Sequence, residues 1–168
     1  MAQIEDARSH RIICVAHCLL NANAMAAGQA HFAGVHAIIG ELAGRGYAIV
    51  QLPCPEMAHE GCGRKPGTDA LYESEEYRAL CAALADGIAD DVEKYLQCGV
   101  MTVAVVGLEG SGTCAVGSVS ADPEVAHCAP GVFVEELRTR LDPHGVHFLA
   151  VSHREPEDNI PEVLAHLR

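Results

Sequence analysis

Three cysteines stand where chemistry explains their placement better than packing does. Leu52-Pro53-Cys54-Pro55-Glu56 holds a cysteine between two prolines, with a carboxylate close by, just past the apolar run Ala48-Ile49-Val50-Gln51-Leu52. Proline fixes φ and removes a backbone donor, so Cys54 is stiffened on both sides, as a ligand or nucleophile requires. A cysteine kept for packing would lie inside the run. Cys18, in Ala16-His17-Cys18-Leu19-Leu20-Asn21, and Cys114, in Gly110-Ser111-Gly112-Thr113-Cys114, also follow strand-like runs. Three thiolates can serve a tetrahedral metal, or three corner irons of a cubane cluster, and either arrangement leaves one position open for substrate. The competing reading is plain burial, since cysteine is among the most buried residue types.

The other candidates are less determined. Glu56 is either a general acid or base, if a dry pocket raises its pKa, or an acidic residue decorating a helix start. His17, beside Cys18, is expected to support a ligand rather than be one. Cys62 lies between two glycines in Gly61-Cys62-Gly63-Arg64-Lys65-Pro66-Gly67, where it could be a fourth ligand or a redox thiol. Cys14, inside a strand-like run, and Cys81, on an apolar helix face, read as core, and Cys98 and Cys128 as inert. The glycines from Gly107 to Gly117 would let backbone approach a ligand closely, but no Lys-Ser/Thr pair of a phosphate loop accompanies them.

The elements that must position these residues alternate. Strands are expected at Arg11 to Ala16, Ala48 to Leu52, Thr102 to Val106 and His147 to Val151. Between the first two, Val35, Ile38, Ile39 and Leu42 recur at helical spacing. A second helix, capped by Ser74, carries a stripe of Tyr77, Leu80, Cys81, Leu84, Ile88, Val92, Tyr95 and Leu96. Val134, Leu137 and Leu141 mark a third, and Asn159-Ile160-Pro161-Glu162 resembles a capping box opening a fourth. Met57 to Leu71 is polar and aperiodic and reads as a long binding loop. Such alternation implies an α/β fold: a four-stranded parallel sheet between two helical layers, Rossmann- or flavodoxin-like, with 2-1-3-4 the simplest strand order. Ligands of such sheets bind beyond the carboxyl ends of the strands at the switch point, which here lies between strands one and three. Cys18, Cys54 and Cys114 all follow strands on that edge.

The totals set the frame. The 168 residues are 49% hydrophobic and 20% charged, and fit one domain, 1–168. A formal charge of −12 with only eleven Lys and Arg argues against a nucleic-acid polymer as partner and for a small molecule. The acidic start, Met1-Ala2-Gln3-Ile4-Glu5-Asp6, is unlike a secretory signal, and no apolar run reaches membrane-spanning length, so the expected location is the cytoplasm. In a reducing compartment, eight cysteines point to metal, catalysis or burial rather than disulfides.

Taken together, the blocks around Cys18, Cys54 and Cys114 resemble the thiouracil desulfurase (TudS) family, in its branch of TudS-related desulfidases, over about Arg11 to Leu141. The resemblance implies a [4Fe-4S] cluster held by Cys18, Cys54 and Cys114, with a fourth iron free to bind the sulfur of a thiolated, thio-nucleobase-like substrate. Glu56 and Ser111 would then serve proton transfer and substrate positioning, and sulfide would be released. The chain departs from the family pattern at Ser111-Gly112-Thr113-Cys114-Ala115, where Ser-Pro-Ser-Cys-Gly is usual, and at Ala24, near the place of a second cysteine. Thiouracil itself is therefore not carried over. The alternatives are a zinc hydrolase on the same three thiolates, a carrier of clusters or sulfur without catalysis, and a flavodoxin-like binding module.

Overall fold

The computed structural model describes residues 6–117, 130–152 and 154–167. Strands β1 (Arg11–Val15), β2 (Ala48–Gln51), β3 (Met101–Leu108) and β4 (His147–Val151) pair in parallel in the expected order β2-β1-β3-β4. The two inner strands carry the most apolar runs because helices cover both their faces. Alternate residues choose the layer. Ile13, Val15, Ala104 and Val106 pack with Ile38 and Leu42 of α2 (Ala37–Gly44) and with Val163 and Leu164 of α7 (Ile160–Ala165). Cys14 and Val105 face the other way, onto α5 (Glu75–Gln97) and α6 (Val132–Leu141). Cys14 and Cys81 are core thiols there, as expected. Cys98 is exposed just past α5, and Cys128 lies outside the described residues.

Helix α5 begins as its sequence implies. Ser74 Oγ accepts from the Tyr77 amide at 3.2 Å, and Glu75 and Glu76 occupy the positive end of the helix. Its apolar stripe ends earlier than the sequence pattern suggests, for Tyr95 and Leu96 are exposed. The cause is length: 23 residues of helix run about 35 Å, whereas the eight residues of β3 beneath span about 26 Å. The last turn overhangs the sheet.

Two further expectations are corrected. The stretch read as one long loop contains α3 (Pro55–Glu60) and α4 (Asp69–Glu73), each too short to show a period. Asn159 precedes α7 without a side-chain cap bond. Its amide instead accepts from Ser152 N and donates to Ala150 O and Glu109 Oε1, tying the end of β4 to the residue after β3. Among the described residues, no helix is long and apolar enough to cross a membrane.

Candidate functional site

The sheet's hydrogen bonding continues past the strand ends and holds three chain exits side by side. Ala16 N donates to Val106 O at 2.9 Å, and Leu52 N to Val15 O at 2.8 Å. From the first exit the chain turns into α1 (His17–Leu20), which carries Cys18. From the second, Cys54 becomes the N-cap of α3, its Sγ accepting from Met57 N at 3.4 Å. Pro55 stands at the first helical position, where a missing N–H costs nothing. From the third, the chain folds back so that Cys114 O accepts from Leu108 N at 3.2 Å. A Cβ on Gly107 would stand 2.2 Å from that carbonyl oxygen, and one on Gly112 would stand 2.2 Å from the Tyr72 ring. These two glycines thus admit protein groups rather than a ligand.

Cys18, Cys54 and Cys114 line one cavity of about 210 Å³, together with Glu56, Arg64, Tyr72, Ser111 and Thr113. All three thiols are partly exposed to it and none is in a disulfide. Three soft donors around one cavity are the donor set of an iron–sulfur group, so the residues present fit it by chemistry. Among the described residues, no three His, Cys, Asp or Glu side chains are grouped so as to hold a single metal ion. A tetrahedral zinc would need its thiolates about 3.8 Å apart, whereas a cluster spreads its ligands over separate irons.

Glu56, with its side chain 12% exposed, is met only by donors. Oε2 accepts from Arg64 Nε at 3.1 Å, and Oε1 accepts from Thr113 Oγ1 at 2.7 Å and from Tyr72 OH at 3.3 Å. Thr113 spends its one proton on Glu56, so the buried Tyr77 hydroxyl, 2.7 Å from Thr113 Oγ1, donates to it. Ser111 Oγ accepts from Cys114 N at 3.0 Å and from Thr113 N at 3.3 Å, which secures the loop and leaves the Ser111 O–H to give.

The remaining candidates turn elsewhere. His17 Nδ1 accepts from Gln51 Nε2 at 3.0 Å, and His17 does not line the cavity. Cys62 is exposed, with Sγ 3.9 Å from Asn23 O, and is also absent from the cavity wall. Sequence reasoning missed Arg64, Tyr72, Thr113 and Tyr77. Thr113 is signalled only by its place beside Cys114, and Arg64 only as one of two adjacent cations, with Lys65, in a glycine-rich loop.

Burial pushes the Cys18 thiol up to about 12, aided by the neighbouring Cys54, and it also raises Cys54. Cys114 stands well above the ordinary thiol value because of burial, with Cys18 and Cys54 adding to it. At neutral pH these thiols are therefore protonated, and any metal held by them would have to expel those protons and would bind more strongly as pH rises. Cys14 and Cys81 are also raised by burial to about 12. Thiols raised in the folded state bind more protons there than in the unfolded chain above the ordinary thiol range. Their stabilising contribution is complete below about pH 9 and is lost as pH climbs toward 12. The melting temperature of metal-free protein should fall steadily across that window, and a flat profile would contradict these shifts.

No family model matches the chain. It is 32% identical over 108 residues to the uncharacterized protein MJ0003 of Methanocaldococcus jannaschii, a match spanning 64% of this chain and 69% of that protein. The chain belongs to the family of MJ0003. In structure it is similar to a [4Fe-4S]-dependent thiouracil desulfidase, TudS, with a TM-score of 0.53 over 94% of this chain and 97% of that one, at 20% identity. The MJ0003-family chain thus shares the TudS fold.

Proposed function

We propose that this MJ0003-family protein is a [4Fe-4S]-dependent desulfidase that removes sulfur from a small thiolated compound. The observation that carries the reading is the meeting of Cys18, Cys54 and Cys114, each from a different strand end, on one cavity beside Glu56. The fold shared with an enzyme of that cofactor and activity supports it. Cys18, Cys54 and Cys114 would hold the cluster, which when bound supplies a Lewis-acidic iron with an open position for the substrate's sulfur.

The chain's own groups then account for the rest. The net change is a hydrolysis: a C=S carbon gains the oxygen of water, sulfur leaves as hydrosulfide, and no electrons are exchanged. Oε1 of Glu56 already accepts two hydrogen bonds, whereas Oε2 accepts one from Arg64 and keeps a lone pair. Oε2 is therefore the atom that takes the proton from the attacking water. Ser111, with its oxygen engaged by two amides, offers its O–H to orient the substrate. Met25, Pro66 and Leu108 give the cavity an apolar wall suited to a flat ring.

The reading is tested by anaerobic reconstitution with iron and sulfide, followed by assay of hydrosulfide release from thiopyrimidines, thiopurines and simple thioamides. Turnover of one class with the oxygen analogue as product is expected. Protein that takes up no iron, or loaded protein inert toward the whole panel, would overturn it.

A further inference from the structure

Arg64 is only 5% exposed, and each of its three guanidinium nitrogens meets a different partner. Nε donates to Glu56 Oε2 at 3.1 Å, Nη1 donates to Ala24 O at 2.9 Å, and Nη2 points at Cys54 Sγ from 3.8 Å. The Arg64 carbonyl in turn accepts from Ala27 N at 2.9 Å. A guanidinium is planar and rigid, so fixing two of its nitrogens fixes the third. The Ala24 carbonyl carries no charge and has no proton to move. It acts as an anchor that sets the plane of the fork, and that plane then relates a carboxylate to a cysteine sulfur. Simple charge neutralisation of Glu56 would need no such third point.

We propose that Arg64 is a positioning residue, which holds the Glu56 carboxylate in register with Cys54 and supplies the positive charge that an anionic iron–sulfur group at this site requires. The proposal rests on the desulfidase reading above. A cation donating toward a ligand sulfur favours the reduced, more negative state of a cluster and raises its reduction potential. Lysine keeps the charge but offers a single point in place of the fork, so it cannot serve Ala24, Glu56 and Cys54 together.

The test compares wild type, Arg64→Gln and Arg64→Lys after anaerobic reconstitution. It reads iron content, cluster midpoint potential, kcat/KM for sulfide release, and melting temperature. Arg64→Gln should lower the potential and cut kcat/KM by about tenfold or more. Arg64→Lys should return the potential toward wild type while the rate stays low. If Arg64→Gln does not fold, Arg64→Lys decides alone, with potential kept and rate lost as the supporting result. An unchanged potential in Arg64→Gln, even with a lower melting temperature and rate, would reduce Arg64 to scaffolding and overturn the proposal, as would full recovery of rate in Arg64→Lys. Wild type without iron overturns the desulfidase reading and this proposal together. Iron-loaded, active wild type with unaffected variants overturns the proposal alone.

Discussion

Replaced together by serine, Cys18, Cys54 and Cys114 should leave a folded, colourless protein that retains no iron. Soft thiolates select iron–sulfur groups, and a serine hydroxyl neither ionises near neutral pH nor offers a soft donor. Wild type reconstituted without oxygen should carry about four irons per chain with matching labile sulfide, and the variant close to none. The chain has no Trp, so visible and near-ultraviolet cluster bands stand on a low background. The matched control is Cys98→Ser, an exposed thiol beyond the end of α5, which should retain full loading. The three site thiols border the cavity while Cys18 and Cys114 also pack against the core, so the metal-free variant should stay folded with a melting temperature somewhat below that of metal-free wild type. Full iron content in the triple variant would move the cluster away from this cavity.

Glu56→Gln should leave cluster loading and its spectrum in place and lower kcat by about 10²–10⁴, the usual contribution of a positioned acid or base. The amide can still accept from Thr113 and Tyr72, so the side chain keeps its place, but it no longer takes a proton from water. A cost in stability accompanies the loss. Arg64 is left as a buried cation without its counter-charge, which costs on the order of 3 kcal/mol. In a domain of this size that is about 6–12 °C of melting temperature. Stopped turnover with intact visible absorbance separates the chemical role from collapse of the site. A variant with wild-type kcat would show that Glu56 serves only to hold Arg64.

These two experiments divide along the line between what local pattern reveals and what it hides. The alternation of strand and helix, the strand order and the placement of Cys18, Cys54 and Cys114 beyond three strands were legible in the sequence. All of them depend on short-range periodicity and on the way parallel sheets are wound. Cys14 and Cys81 were legible as core for the same reason, since their neighbours define an apolar strand and an apolar helix face. The short helices around Pro55 and Asp69 were not, because one turn or two is too little to carry a period.

Side-chain direction was decided only by the tertiary structure. His17 is adjacent to Cys18 yet turns to Gln51, thirty-four positions away. Cys62 shares a loop with Arg64, but one thiol faces solvent while the neighbouring guanidinium is buried between Glu56, Ala24 and Cys54. Thr113 reaches Glu56 across fifty-seven residues, and Tyr77 reaches Thr113 across thirty-six. The sequence by itself determined which strands the three thiols follow and on which edge of the sheet they emerge. Which groups surround the Glu56 carboxylate depended on Arg64, Tyr72 and Thr113 closing over that edge from 8, 16 and 57 residues away, and such contacts leave no periodic trace in the chain.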